Sequence, residues 1–325
     1  MAFARNWRHA WISEGPERVS VREIPQLNAV FSESFTERYR KDGMVGVRVP
    51  HLNPAVWKFA ISDAEEGAMI WRTARDSIAA FNMVHRSGVE GWMGPLAVHP
   101  DHQGQGVGKA IVNAGVEWLK HRGATVIGLE TMPRTMDNVG FYSSLGFSPG
   151  HLTVTLTLEA ARAGIQSTPV SALAPHEREL ALRQCRQLVN ELAPGYDYTR
   201  EIVLTAQHQL GDTIIMRTGA DVRSFAICHS VPLVEGRATE EMRVLKMVAR
   251  SEADFDALVT QLCAHARIRA ARRIAIRVQG QYSDVYRRLI ARGARVRWTD
   301  LRMSVHGYAE AKPANGGIVL SNWEI

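Results

Sequence analysis

The segment Leu96-Ala97-Val98-His99-Pro100-Asp101-His102-Gln103-Gly104-Gln105-Gly106-Val107-Gly108-Lys109 places three alternating glycines between an apolar run and the start of a helical repeat. A strand that turns through glycines into a helix gathers backbone N–H groups and the positive end of the helix dipole at one point, and that point binds anions. Glycine at 104, 106 and 108 removes the side chains that would hold a pyrophosphate away from the backbone. Spacing separates the phosphate loops that could claim the segment. The dinucleotide fingerprint G-x-G-x-x-G needs glycine where Lys109 stands, and the P-loop G-x-x-x-x-G-K-[ST] needs glycine at Gln103 and a hydroxyl at Ala110. Neither pattern is met.

A third pattern, V-x-P-x-x-[QR]-x-x-G-x-[GA], is filled at every defined position by Val98, Pro100, Gln103, Gly106 and Gly108. Further on, Asn138-Val139-Gly140-Phe141-Tyr142-Ser143-Ser144-Leu145-Gly146-Phe147 resembles A-x-x-F-Y-x-x-L-G-F. Together these resemble the two signatures of the GNAT acyltransferase superfamily, in the family's order. Residues 1–158 resemble a complete GNAT domain, and the whole chain resembles a tandem GNAT protein with an intact first domain and a degenerate second one. The resemblance implies transfer of an acetyl group from acetyl-coenzyme A, as co-substrate and without a metal, to the amine of a small-molecule acceptor. It implies coenzyme contacts from Leu96, Ala97, Val98, Gln103, Gly104, Gln105, Gly106, Val107, Gly108 and Lys109. Asn138 is expected among those contacts although it takes the family's alanine position; Thr135 takes a position often held by asparagine.

Tyr142 aligns with the family's general acid. A phenol of pKa ~10 can protonate a departing thiolate, whose conjugate acid resembles cysteine at ~8.5, if the two are held close. Packing of the ring in the core is its other use. In the family the strand ending at Leu96-Ala97-Val98 splays from its neighbour, and Gly94-Pro95 suits that because proline cannot donate to a ladder. Many members carry a basic glutamate on this strand, but Gly91 to Pro95 holds no carboxylate. Glu130, at the end of the fifth strand, is the expected general base, with Glu90 and His85 behind it and a bound water as the remaining route. The variable segments that should line the acceptor pocket contain Trp7, Trp11, Trp57, Trp71 and Trp92, for which core packing or coverage between the halves is the other use.

The elements that must hold these residues follow from periodicity. Val19 and Val21 open a short strand, and Leu27, Val30, Phe31 and Phe35 recur at helical spacing after Pro25. Strands are expected at Ala68 to Ala74, Ile78 to Val84 and up to Val98, then a helix on Val107, Ile111, Ala114 and Trp118. A strand at Thr125 to Thr131 and a helix around Tyr142 lead to the clearest strand, in which Leu152, Val154, Leu156 and Leu158 alternate with threonines. The second half echoes the first. Arg72-Thr73-Ala74-Arg75-Asp76 returns 145 residues later as Arg217-Thr218-Gly219-Ala220-Asp221, and Tyr142 and Leu145 return 144 residues later as Tyr286 and Leu289. Helices at Ala253 to Ala266 and Ser283 to Ala291 and strands at Arg273 to Val278 and Val296 to Val305 continue the order. The fold class is thus α/β (α+β): two tandem domains, 1–158 and 170–310, each a mixed, mainly antiparallel sheet flanked by helices, with a linker at 159–169 and a tail at 311–325. The segment standing where the glycine loop would recur, Met247 to Glu252, has no glycine, so one coenzyme site is expected.

Length and composition agree. At 325 residues, 46% hydrophobic and 22% charged, the chain is long enough for two buried cores and is unlike a disordered or fibrous protein. Cys185, Cys228 and Cys263 are too few for a disulfide framework and are expected as buried thiols. No apolar run approaches a membrane span, so a cytoplasmic protein without membrane contact is expected, monomeric or homodimeric. The net charge of +6 lies wholly in residues 161–325, where eleven arginines fall between Arg267 and Arg302. They motivate a second reading, an acyl-coenzyme A-responsive module docking on nucleic acid or an acidic partner. Helical periodicity does not gather them on one face, which counts against it and makes nucleic acid an unexpected partner.

Overall fold

The threonine-apolar alternation of residues 152–158 folds as the strand β6 (Phe147–Glu159), and its neighbours set the plan of the molecule. The computed structural model describes residues 15–161, 169–313 and 316–324; Trp7, Trp11 and most of the expected linker lie outside them. The first half runs β1 (Glu17–Arg18), α1 (Ile24–Lys41), α2 (Pro54–Ala64), β2 (Ala68–Arg72), β3 (Ile78–Ser87), β4 (Glu90–Val98), α3 (Val107–His121), β5 (Val126–Thr131), α4 (Met136–Ser144) and β6. The second runs α5 (Pro175–Leu192), α6 (Thr199–Gln207), β7 (Gly211–Thr218), β8 (Asp221–His229), β9 (Glu241–Ala249), α7 (Glu252–Ile268), β10 (Arg273–Gln279), α8 (Ser283–Ala291), β11 (Arg295–Val305) and β12 (Ile318–Ser321).

All the strands join one sheet in the order β1-β2-β3-β4-β5-β11-β6-β10-β9-β8-β7, with β12 added against β9. The halves exchange strands at its centre. β11 pairs with β5 from Leu301↔Thr131 to Ser304↔Gly128, and β6 pairs with β10 from Arg273↔Glu159 to Gln279↔Thr153. Side chains follow the exchange. Met303 joins the core of Ile111, Leu119 and Tyr142, while Leu156 and Leu158 join that of Phe255, Leu262 and Leu289. Burial of such apolar side chains contributes roughly 1.5–3 kcal/mol each, so each half's core is completed by the other.

The register repeats as the sequence does. β2 slips against β3 between Trp71 and Arg72, and β7 slips against β8 between Met216 and Arg217, 145 residues on. The helical repeat has a different offset. Gly146 (φ 87°) and Gly293 (φ 88°) each close a helix in the left-handed conformation that glycine tolerates, and they lie 147 residues apart. Counted back from these glycines, Leu289 takes the place of Tyr142, which corrects the equivalence of Tyr142 with Tyr286 expected from sequence.

Three helices and a strand were not legible in the periodicity. α2 is capped by Asn53, whose side chain accepts from the Ala55 N–H, and opens with Pro54, but Val56, Trp57, Phe59, Ala60 and Ile61 bury nearly its whole circumference. α5 and α6 cover the second half's sheet, and β12 lies in the segment expected as a tail. All three cysteines are buried thiols. Among the described residues no helix is long and apolar enough to cross a membrane.

Because β11 completes the first core, residues 1–160 expressed alone leave β5 without its partner and Met303 missing from its seat. We expect that fragment to lack cooperative unfolding in urea, and co-expression with residues 161–325 to restore one cooperative transition; a cooperatively folded monomeric fragment would contradict the exchange.

Candidate active site

β4 carries the local irregularity that opens the site. Asn82 pairs with Leu96 and Val84 with Met93, so Gly94 and Pro95 bulge out of the β3–β4 ladder. On its other side β4 runs parallel to β5 from Glu90↔Val126 to Met93↔Leu129 and then parts from it. Pro95 has no N–H to give, and the strands diverge into a wedge. A cavity of about 720 Å³ fills this wedge. Leu96, Ala97, Val98, Gln103, Gly104, Gly108, Glu130, Asn138 and Tyr142 all line it.

The loop after β4 forms a cradle of free backbone N–H groups. The His99 ring accepts from the Asp101 N–H at 3.3 Å, and the Gln103 side-chain amide donates to the Val98 carbonyl at 3.0 Å. Gly104 (φ 75°) and Gly106 (φ 84°) take left-handed conformations, and a Cβ at either would meet nothing within 4 Å. Gly106 is the N-cap of α3 and offers no side-chain cap; the Ala110 N–H is the first to bond back, to the Gly106 carbonyl at 3.1 Å. The N–H groups of Val107, Gly108 and Lys109 therefore face outward from the helix end. A Cβ at Gly108 would stand 3.3 Å from Phe141 Cζ, so the helix start packs directly on α4. Gln105 donates to the Asp101 carbonyl at 3.2 Å, the Val107 side chain belongs to the core, and Lys109 is exposed. None of these three, nor Gly106, lines the cavity itself. Sequence reading missed Lys41, from the last turn of α1, whose Nζ donates to Gln103 Oε1 at 3.2 Å and brings a cation to the cradle.

Tyr142 is 7% exposed, with its ring against Phe141 and Phe147 and one side on the cavity. Burial pushes its phenol up to about 12, so the hydroxyl keeps its proton. Asn138 lines the cavity and donates to Thr131 Oγ1 at 3.4 Å, while Thr135 is buried and donates to Asp42 at 2.7 Å.

Glu130 does not sit as a general base must. Its side chain is 0% exposed and is gripped by Arg277 at 2.7 Å and Arg302 at 3.1 Å, with Thr153 donating as well. Burial alone would raise its pKa, but the two guanidinium groups and these hydrogen bonds overcome that and hold it at about 2. A carboxylate so stabilised is a weak proton acceptor near neutrality. The two reserve candidates are spent elsewhere. His85 is fully buried, bonded through Nδ1 to Asp63 at 2.6 Å and stacked on Trp92. Glu90 accepts from Trp323 Nε1 at 2.8 Å and from the Tyr198 hydroxyl at 3.2 Å.

The second half closes the cavity. Leu233, Trp298, Asp300, Trp323 and Glu324 line it. The exposed aromatic face comes from Trp298, with Trp323 buried behind the wall under Arg302, whereas Trp57, Trp71 and Trp92 are core residues and Trp7 and Trp11 lie outside the described residues. Only tertiary folding could bring these second-half residues here. No second cradle forms where β9 enters α7: Ser251 caps that helix by accepting from the Asp254 N–H at 3.2 Å, and Glu252 and Asp254 occupy its first turn. Six of the eleven arginines of the basic run, Arg273, Arg277, Arg287, Arg288, Arg292 and Arg302, are ion-paired, while Arg267, Arg269, Arg272, Arg295 and Arg297 are exposed.

Two measurements test this geometry. Gly106→Glu puts a carboxylate at an anion cradle, where open space spares the core; we expect acetyl-coenzyme A binding to be lost in calorimetry while Tm falls by only a few degrees. Glu130→Gln leaves Arg277 and Arg302 short of a buried counter-charge and should cost about 3–5 kcal/mol in denaturant unfolding at neutral pH. With the folded pKa at about 2 and the ordinary value at 4.5, the wild-type contribution is complete above pH 4.5 and fades as pH falls toward 2, and the variant should lack that part of the acid slope.

Residues 28–147 match the acetyltransferase (GNAT) family. The chain is 29% identical over 75 residues to the uncharacterized N-acetyltransferase YobR of Bacillus subtilis, which covers 23% of this chain and 30% of that protein. It is 30% identical over 90 residues to the [ribosomal protein bS18]-alanine N-acetyltransferase of Escherichia coli, which covers 28% of this chain and 61% of that enzyme. The chain thus spans less than two thirds of either relative. Among solved structures, a putative acetyltransferase from Pyrococcus horikoshii superposes with a TM-score of 0.65 at 13% identity, over 99% of this chain and 98% of that one. A tandem GNAT protein from the clavulanic acid biosynthesis pathway superposes at 0.56 with 10% identity, over 91% and 99%. Residues 28–147 thus match the GNAT acetyltransferase family, in a chain that shares its overall fold with a tandem GNAT protein.

Proposed function

We propose that this protein transfers the acetyl group of acetyl-coenzyme A to the amine of a small-molecule acceptor, at a single site in its first half. The observation that carries the reading is the uncapped start of α3, entered through Gly104 and Gly106, at the mouth of a wedge cavity that also holds Tyr142. GNAT enzymes use acetyl-coenzyme A as co-substrate. In this chain the free N–H groups at Val107, Gly108 and Lys109, with Lys41 beside them, would hold its pyrophosphate. The part of β4 beyond Met93, unpaired to β5, leaves backbone groups for the pantetheine arm.

The acceptor end is closed by the second half, whose Asp300 and Glu324 make it acidic. An ammonium is drawn to such a wall and an anionic acceptor is repelled. Trp298, 39% exposed, adds a face for the apolar or cationic body of the amine. Tyr142 is the proton donor to the leaving thiolate. Its pKa of about 12 exceeds that of a free thiol, but a thiolate expelled into the same desolvated cavity is also a stronger base than in water. The docking reading finds less support, because ion pairs within the fold engage six of the eleven arginines that motivate it.

Calorimetric titration should give one acetyl-coenzyme A site per chain, and a screen of small amines for coenzyme-dependent thiol release should find an acceptor; absence of coenzyme binding would refute the reading. With that acceptor, Tyr142→Phe should lower kcat by ~100-fold or more at unchanged coenzyme affinity, the usual worth of a positioned acid. Unaltered kcat in a folded variant would remove Tyr142 from the chemistry.

A further inference from the structure

The end of the chain crosses from one half's wedge to the other's. β9 pairs with β10 only from Arg273↔Glu241 to Ala275↔Arg243 and then the two part, as β4 and β5 do after Met93↔Leu129. In the second half that gap is filled by β12, which pairs with β9 from Ile318↔Ala249 to Ser321↔Lys246. Tyr282 from the α8 side donates to the Val319 carbonyl at 2.9 Å, and Gln279 of β10 donates to the Ser321 carbonyl at 3.1 Å. The chain's own strand thus stands where a pantetheine arm would lie in a working domain.

Beyond β12 the chain enters the first half's wedge. The Asn322 N–H donates to the Leu245 carbonyl at 2.9 Å, and the Trp323 indole donates to the buried Glu90 at 2.8 Å. The Trp323 ring lies against Gly128 so closely that a Cβ there would come within 2.5 Å of it, and the Arg302 guanidinium covers it at 3.7 Å. With Trp323 1% exposed and held on these sides, the direction of the next residue is fixed. Glu324 accepts from Arg277 Nη1 at 2.7 Å, and its own N–H donates to Asn322 Oδ1 at 3.0 Å. Arg277 Nη2 serves Glu130 and Asp300, whose side chains are 0% and 3% exposed. Glu324 differs from both: its side chain is 49% exposed, and it lines the cavity that holds Tyr142.

We propose that Glu324 is the catalytic base of the transfer, delivered into the first half's cavity by the C-terminal strand of the second half. This assignment rests on the acetyl-transfer reading above. An alkylammonium has no lone pair to attack with. The Glu324 carboxylate takes one proton from it, the N–C bond to the acetyl carbon forms and the C–S bond breaks. The thiolate takes the Tyr142 proton, the second proton shed by the nitrogen restores the tyrosine, and Glu324 gives its proton to water, so each turnover releases one proton. The surroundings suit that role. Burial raises the Glu324 carboxyl and Arg277 opposes it; Asp300 and Glu130 add repulsion, Arg243 opposes again, and the result is about 7. Tyr39 of α1 faces the same group. The side chain lines the cavity and is 49% exposed, so solvent tempers that rise without reversing its direction. An acceptor of protons works best with a pKa near the working pH.

The test uses the full chain with Glu324→Gln and Glu324→Asp. We expect the glutamine variant to bind acetyl-coenzyme A within about twofold of wild type while kcat falls ~100-fold or more, and the pH profile of kcat/KM to lose its rise around neutrality. The aspartate variant should regain at least tenfold of that loss. A difference acid-base titration of wild type against the glutamine variant, with no substrate present, should show one proton taken up around pH 7. A glutamine variant with wild-type kcat and an intact pH rise overturns the proposal, as does one that has lost coenzyme binding or folding while the aspartate variant is equally inactive. Wild-type protein that fails to bind acetyl-coenzyme A at all overturns the acetyl-transfer reading instead.

Discussion

Arg277 of β10 and Glu130 of β5 stand 147 residues apart in sequence and 2.7 Å apart in space, at the line where the two halves exchange strands. Neither charge is tolerable there alone, since a buried ion without its partner costs several kcal/mol. The pair therefore fixes the spacing of β5 and β10 across the two strands between them. The same offset of 147 residues relates Thr153 to Asp300, and those two residues pair directly in the β6–β11 ladder. An approximate two-fold axis passes between them. Thr153 donates to Glu130, and Arg277 donates to Asp300, so one contact of the duplicated fold is made twice with different side chains.

Each half carries a wedge, and the two differ in how their gaps are filled. In the first, glycines and an uncapped helix leave backbone N–H groups free and a cavity open. In the second, Ser251 satisfies the helix start, acidic residues repel phosphate, and β12 supplies the ladder partner that the parted β9 lacks. Unpaired N–H groups are costly once buried away from water, so a parted strand edge is met by water, a ligand or another strand. A strand in the second wedge also delivers Trp323 and Glu324 to the first, and filling one gap thereby shapes the other.

The charges around this junction divide into a locked set and an open one. Glu130, held by two arginines, stays far below the ordinary carboxylate range. Burial raises Asp300, Glu310 and Glu324, because the available guanidinium groups are shared among more carboxylates than they can fully satisfy. The excess falls on a group with access to the cavity. Glu90 and Lys246 form a second buried pair, at 3.6 Å, that seats the Trp323 indole and ties the two halves together.

The sequence by itself determined what short stretches of backbone can encode. The glycine loop, the α3 repeat after it, the threonine alternation of β6 and the bulge at Gly94-Pro95 each depend on residues within one or two turns, and each is where the pattern placed it. The position of Tyr142 in α4 was legible for the same reason. α2 was hidden because a helix buried between the two halves shows no polar face, and the Asn53-Pro54 start signal was its only trace. What tertiary structure alone decided is the far end of the cavity. Glu130 reads as an available carboxylate until Arg277 and Arg302 arrive from strands more than 140 residues away, and residues 318–324 read as a tail until β9 offers them an edge. Pairing across such separations carries no local periodicity, because it is set by which edges remain unpaired and which buried charges remain uncompensated once the whole chain has folded.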